Sequence, residues 1–458
     1  MTSPLQLEPP HSGLPHSGLP HSGLPHSGPP ISGPLRLGIA GLGTVGMGVV
    51  GIVQDNAALI AARAGRAIEI VAVSARDAAK ERGRDLSSYA FEPDPVALAR
   101  RGDIDVFIEV IGGHEGPAKL ATEAAIAAGH DVVTANKALL AHHGQVLALA
   151  AEAAGRCILF EAAVAGGIPV IKALTQGMAG NAMRRVMGVM NGTCNYILTR
   201  MEETGQGYNA LFQECAALGY LEADPNLDVG GIDAGHKLSL LAAIAFGTQV
   251  SFDAVELEGI QNVSLDDIRL ARDMGYRIKL LGVAQMTGRG LEQRMTPCLV
   301  PADSPLGQLQ GGTNMVVLEG DQAGQIVLRG AGAGMGPTAS AVMADVIDLA
   351  RGVRLPVFGQ PAAGLAVPVA ARTASSAPYY LRMMLLDKPG ALAKIATCLG
   401  EAGVSIDQMR QYGHEGVNAP VLIVTHRATR DDIAHAMGLF GGTGVLVGDP
   451  VALRIEEV

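Results

Sequence analysis

The stretch GLGTVG at residues 41–46, set directly behind the apolar run LRLGIA at 35–40, constrains the fold more than any other part of the chain. Glycines at the first, third and sixth positions permit a tight turn and close approach of backbone to a pyrophosphate, which then rests on the N-terminus of the next helix. Alone, the spacing is a weak signal; between a strand and a helix it is a strong one. A helical stretch is expected from about Thr44 to Ala62. Strands follow at IEIVAV (68–73), DVFIEV (105–110), DVVTA (131–135) and CILFEAAV (157–164), with helices at 117–129 and 136–155. Strands alternating with helices at this spacing imply right-handed βαβ units and a parallel sheet.

Residues 35–165 are therefore expected to form an α/β, Rossmann-type dinucleotide-binding domain, with Gly41, Leu42, Gly43, Thr44, Val45 and Gly46 forming the cofactor loop. The second strand is followed by Ser74-Ala75-Arg76-Asp77, with Lys80 just beyond. A carboxylate here holds the ribose hydroxyls of NAD, whereas an arginine accommodates a 2′-phosphate. Arg76 and Lys80 favour NADP(H), and Asp77 leaves NAD(H) open. The plain alternative for Arg76 is a solvated loop cation.

After Gly166 the pattern becomes mixed, and residues 166–329 read as a second, α+β domain. Residues 330–352 form a glycine loop and a helix returning to the nucleotide domain, and 353–377, rich in Pro, Ala and Ser, read as a linker. Residues 378–458 show the β-α-β-β-α-β order of a ferredoxin-like unit. Residues 1–34 carry the repeat HSGLP and read as a disordered low-complexity tail, because Pro and Gly every five residues suit neither helix nor sheet.

Charge and cysteine content narrow the function classes. A net charge of −10 argues against a nucleic-acid partner, which calls for a basic face. No apolar run approaches the ~18 residues of a membrane span, and the first residues lack the pattern of a secretory signal. The five cysteines include no CxxC pair, so neither a disulfide framework nor a zinc site is indicated. These features fit a cytoplasmic enzyme.

The stretch GYLEADPNLDVGGIDAGHK (219–237) gathers Glu222, Asp224, Asp228, Asp233 and Lys237. Asp233 and Lys237 stand four apart and share a helix face; Glu222 and Asp228 precede them on a Gly- and Pro-bearing loop. By itself, the pair also fits a surface ion pair worth a few tenths of a kcal/mol. Lys137, in TANK, lies just past the carboxyl end of a parallel strand, where open α/β sheets bind ligands. A cation at a helix start is unfavourable unless it has another task.

Several motifs, in order, resemble the homoserine dehydrogenase family: GLGTVG (41–46), EVIGG (109–113), TANKALL (134–140), EAAVAGGIPVI (161–171), NGTCNYIL (191–198), GYLEADP (219–225), DVGGIDAGHK (228–237) and GAGAGMGPTA (330–339). LLDKPGALAKIA (385–396) resembles an ACT domain, so the arrangement looks like that of monofunctional bacterial homoserine dehydrogenases. The resemblance implies reversible NAD(P)H-dependent reduction of L-aspartate 4-semialdehyde to L-homoserine, in threonine, methionine and isoleucine biosynthesis. It implies Lys237 and Lys137 as catalytic candidates, and Glu222, Asp228, Asp233, Gly192 and Thr193 on the substrate. Gly219, Glu222, Gly334 and Lys137 would join the cofactor site. Glu161, Val164, Gly166 and Ile168 would form a sodium loop of mostly backbone carbonyls. Asp387 and Gly390 would bracket an effector site, with L-threonine as the natural candidate; the alternative is a dimer or tetramer module that binds no ligand. The α+β unit would be catalytic and dimerising, and the assembly a homodimer or homotetramer. The alternatives are a dehydrogenase of another amino-acid aldehyde and a non-catalytic amino-acid sensor. An acyl-enzyme route needs an activated cysteine, and neither Cys157, within an apolar strand, nor Cys194 looks activated.

Overall fold

The computed structural model describes residues 33–221, 224–371, 374–412 and 417–457. The HSGLP repeat and Glu222 lie outside them. Residues from Pro34 onward form one compact unit built on two sheets.

The first sheet has six parallel strands: β1 (Leu35–Ala40), β2 (Ile68–Ser74), β3 (Ala90–Glu92), β4 (Val106–Glu109), β5 (Asp131–Thr134) and β6 (Ile158–Leu159). Their order is β3-β2-β1-β4-β5-β6. The runs rich in Val, Ile and Leu are buried on both faces, as a sheet covered by helices requires. The order reverses between β1 and β4, which opens a crevice at their carboxyl ends. The α/β class and the parallel sheet are as expected.

The second sheet is mixed. It uses β7 (Met183–Val189), β8 (Glu256–Leu257), β9 (Tyr276–Thr287), β10 (Gly290–Pro301), β11 (Thr313–Gly320), β12 (Gly324–Ala331), β13 (Tyr379–Leu386), β14 (Ile406–Gln411), β15 (Asn418–Thr425) and β16 (Leu446–Ile455). The order is β12-β11-β7-β9-β10-β16-β13-β15-β14, with β8 also on β10. The last four strands, with helices Ala391–Glu401 and Arg430–Gly441, make the ferredoxin-like unit. Its strand β16 pairs in parallel with β10, at Cys298 with Arg454 and Leu299 with Ile455, so the sheet runs on into the preceding region.

Three local expectations change. The helix expected over 44–62 breaks at Asn56 into Thr44–Asp55 and Ala57–Ala64, bent by 86°. The pair is apolar because it buries Met47, Val49, Val50, Val53 and Ile60 in the core of the first sheet. No single helix among the described residues is long and apolar enough to cross a membrane. The strand expected over 157–164 stops at Leu159 and turns at Glu161–Ala163, because the Glu161 carboxylate accepts the backbone N–H groups of Ile171 and Lys172 at 2.9 and 2.8 Å. The stretch read as a linker is packed: Val357, Phe358, Ala362 and Leu365 are buried, and Val369 accepts the N–H of Leu291 at 2.8 Å.

Candidate active site

Lys137 owes its place to the turn TANK. The Thr134 hydroxyl donates to Glu109 at 2.6 Å and accepts the N–H of Asn136 at 2.9 Å. Asn136 caps helix Lys137–Ala153 by accepting the N–H of Leu139, and donates to the Gly113 carbonyl at 2.7 Å. Lys137 thus leads the helix, past the carboxyl end of β5. Glu109 is fully buried and also accepts the N–H groups of Ile111 and Gly112, so its carboxylate braces the EVIGG turn.

Helix Ile232–Phe246 packs beside helix Lys137–Ala153 and brings Asp233 and Lys237 to the same point. Asp233 Oδ1 faces Lys137 Nζ at 3.1 Å, and Asp233 Oδ2 accepts from Lys237 Nζ at 2.6 Å. Lys237 also donates to the Met190 carbonyl at 2.9 Å. The Lys237 and Asp233 side chains are 11% and 5% exposed, against 30% for Lys137, so this is no surface ion pair. Burial alone would raise the Asp233 carboxyl, but the charges of Lys237 and Lys137 outweigh it and hold it well below the usual carboxylate range. Asp228, on the short helix Pro225–Val229, is buried alongside.

Asn191 ties these groups together, donating to Asp228 Oδ1 at 2.9 Å and to Asp233 Oδ2 at 3.3 Å. It caps helix Gly192–Thr204, whose first turn carries Gly192 and Thr193. A Cβ on Gly192 would lie 2.6 Å from the Gly312 carbonyl oxygen, and Thr193 donates to the Tyr220 carbonyl at 3.1 Å. Asn191 was not singled out from the sequence; an Asn before a helical run is a capping signal, but its reach to two carboxylates is a tertiary fact.

A stack of imidazoles flanks the cluster. His142 lies 4.4 Å from His114 and 5.4 Å from His236, whose ring is 4.2 Å from Phe252. Burial, then the neighbouring His142, pushes the His236 pKa down to about 4. These histidines also went unnoticed in the sequence, because they come from different elements.

At the glycine loop each glycine has its own reason. A Cβ on Gly41 would lie 2.6 Å from the Val110 carbonyl oxygen, and one on Gly46 would lie 1.9 Å from that of Gly41, whereas a Cβ on Gly43 meets nothing within 4 Å. Leu42 is buried beneath the loop, and Thr44 and Val45 open helix Thr44–Asp55. Space over Gly43 at a helix N-terminus suits a pyrophosphate. Arg76 and Lys80 are exposed past the end of β2, while Asp77 accepts the N–H of Ala79 at 2.9 Å. Arg82 straps this segment to the loop by donating to the Leu42 carbonyl at 3.3 Å. Gly334, at φ +115°, precedes helix Met335–Ala350, which packs on helix Thr44–Asp55. Gly219, at φ +71°, is exposed.

Residues 161–168 form a tight loop against the second glycine loop. Ala165 and Gly166 take φ values of +57° and +55°, and a Cβ on Gly166 would lie 2.6 Å from the Gly332 carbonyl oxygen. Val164 and Ile168 are buried on either side. In the ferredoxin-like unit, Asp387 and Gly390 line a cavity of about 460 Å³ with Lys388, Pro389 and Gln411.

The chain is similar to known proteins over most of its length. Residues 41–161 match the family described as homoserine dehydrogenase, NAD binding domain; 169–347 match homoserine dehydrogenase; 379–439 match the ACT domain. A homoserine dehydrogenase of Neisseria gonorrhoeae is 43% identical over 416 residues, covering 89% of this chain and 95% of its own. One from Pseudomonas aeruginosa is 41% identical with the same coverage. The crystal structure of a homoserine dehydrogenase from Thiobacillus denitrificans is similar at a TM-score of 0.87 and 38% identity, over 93% of this chain and 98% of that one. The chain belongs to the homoserine dehydrogenase family of NAD(P)-dependent oxidoreductases.

Proposed function

We propose that the Lys137–Asp233–Lys237 cluster interconverts L-aspartate 4-semialdehyde and L-homoserine beside a nicotinamide held at the glycine loop. The observation that carries this reading is a buried carboxylate clamped by two lysines at the carboxyl end of β5. When bound, the nicotinamide supplies the hydride that reaches the aldehyde carbon, or takes it back from the alcohol. Lys237 gives a proton to the substrate oxygen as it gains charge, and recovers it in the reverse direction. Asp233 keeps that ammonium oriented, and Lys137 holds the oxygen from the other side. Positioned proton transfer of this kind contributes about 10²–10⁴-fold. Glu222 and Asp228 take the substrate ammonium. The first turn of helix Gly192–Thr204 offers backbone N–H groups to its carboxylate.

NADP(H) is the preferred cofactor in this reading, because Arg76 and Lys80 stand at the end of β2 while Asp77 is engaged with its own loop. The loop 161–168 fits a monovalent cation. Hard cations take oxygen ligands, and a left-handed non-glycine residue such as Ala165 persists only where its surroundings over-determine it. Glu161, Val164, Gly166 and Ile168 would contribute carbonyls, in a structural role. The cavity at Asp387 and Gly390 is the place for L-threonine. The open sheet edges at β12 and β14 are where copies of the chain would meet as a homodimer or homotetramer. The five buried, unpaired thiols suit a reducing, cytoplasmic setting.

The test is NADPH absorbance with L-aspartate 4-semialdehyde, for wild type and Lys237→Ala side by side. Rapid oxidation that collapses in the variant is expected. Equal rates in both would remove Lys237 from the chemistry. Parallel runs with NADH, with sodium replaced by a bulky cation, and with threonine decide the cofactor, ion and effector.

A further inference from the structure

We infer that Asn191 is a positioning residue of the substrate site: one amide donates both of its N–H bonds to the two buried carboxylates, Asp228 and Asp233, and so sets their spacing. The inference rests on the reading of those carboxylates given above.

The orientation of the amide follows from its surroundings. Its Oδ1 accepts the N–H of Cys194 at 2.8 Å, and a backbone N–H requires an acceptor there. The NH₂ group must then face the carboxylates, and it meets them at 2.9 and 3.3 Å. Asn191 is 5% exposed, and Asp228 and Asp233 are each 4% exposed, so water does little to screen one carboxylate from the other. An NH₂ group has two protons and here two acceptors. The neighbouring Met190 carbonyl holds Lys237 at 2.9 Å. The two consecutive residues after β7 therefore fix the proton-transfer lysine and both carboxylates. They connect helix Gly192–Thr204 to the short helix Pro225–Val229 and to helix Ile232–Phe246, which follows it after Gly230 and Gly231.

The capping and bridging roles are separable. Asp and Ser cap helices as well as Asn does. Asn191→Ser keeps a capping oxygen and cannot donate to two carboxylates. Asn191→Asp keeps the shape and the cap, and replaces the donors with a third carboxylate. Neither should disturb the glycine loop, so NADPH binding, followed by its fluorescence, reports that each variant is folded.

The experiment measures kcat and KM for L-homoserine and for NADP in both variants across pH, with Lys237→Ala alongside. The expected result is a roughly 10²-fold loss of kcat/KM for homoserine, the scale of a 1 Å misplacement of reacting groups. KM for NADP should stay unchanged. The acidic limb of the homoserine kcat/KM profile should move to higher pH, because Asp233 loses a donor that favours its charged form. A helix-capping role alone would change the melting temperature and leave that limb in place. If either folded variant keeps wild-type kcat/KM and an unmoved acidic limb, the inference is overturned, while the role of Lys237 stands or falls on its own variant.

Discussion

Two buried charge clusters in this chain are built from similar parts and suit different tasks. One is the Lys137–Asp233–Lys237 site. The other lies where β10 meets β16: Arg294 pairs with Glu292 and Glu456, and Arg454 pairs with Glu456. Ser375 donates its N–H and hydroxyl to Glu292 at 3.0 and 2.8 Å, and its carbonyl accepts from Arg454 at 2.6 Å. In this seam all four charged side chains are at most 8% exposed, and guanidinium forks fix the geometry. In the site the cations are lysines, which have rotatable ammoniums and protons to give, and one is 30% exposed. Arginine stays charged and holds strands in register; lysine can be deprotonated, which suits the proton transfer proposed for it. Burial of charge alone therefore does not mark an active site.

The comparison breaks if a change in the seam alters the chemistry, or if a change in the site mainly alters stability. The largest effect is expected from Lys237→Ala, with kcat lower by about 10²–10⁴-fold. Its stability loss should be the smaller of the two clusters', because Asp233 keeps Lys137 and Asn191 as partners. Paired rate assays and denaturant melts check both. Next is Arg294→Met, which leaves Glu292 and Glu456 facing a vacated space. Breaking a buried pair this way costs about 3–5 kcal/mol, and the folded fraction should reduce substrate at the wild-type rate.

A smaller effect concerns pH. His236 is held neutral, with its folded pKa of about 4 below its ordinary value of 6.5. The unfolded chain binds more protons between those values, so this contribution to stability is full above about pH 6.5 and is lost as pH falls toward 4. One group adds at most ~1.4 kcal/mol per pH unit. His236→Phe should flatten melts over that window. The loss tied to Asp233 lies below the ordinary carboxylate range and should remain. Smallest of all is Cys194→Ala. Burial, then the Asp228 and Asp233 charges, raises this thiol's pKa well above its usual value, so no thiolate is available. Hydride transfer should persist within a few-fold, and loss of turnover there would point to a covalent route.

What could be read from the sequence was what local chemistry determines. GLGTVG between a strand and a helix required a nucleotide crevice, and the strand-helix rhythm required a parallel sheet. The spacing of Asp233 and Lys237 put both on one helix face, yet left open whether that face met water or a second lysine. Contact with helix Lys137–Ala153 decided it. The strand expected through Glu161 failed because a glutamate in an apolar run was needed to hold the N–H groups of Ile171 and Lys172. The segment 353–377 looked like a linker because its prolines and alanines carry no period, but its Val357 and Phe358 fill the core. The edge strand β12 escaped notice because its side chains are largely exposed and leave little hydrophobic alternation. Asn191 and the imidazole stack depend on partners distant in the chain, which no local pattern records.

The parallel join of β10 to β16 has a consequence for how the chain is made. β10 lies near residue 300 and its neighbour near 450, so on the ribosome the first half of the sheet must wait for its bridging strand. At typical elongation rates the delay is on the order of ten seconds. During that interval the flank of β10 at Cys298 and Leu299 has no partner strand, Arg294 awaits Glu456 and Glu292 awaits Ser375. The charges that lock the finished seam also keep that flank from pairing with the wrong strand, since a buried arginine would reject any neighbour that lacked a carboxylate.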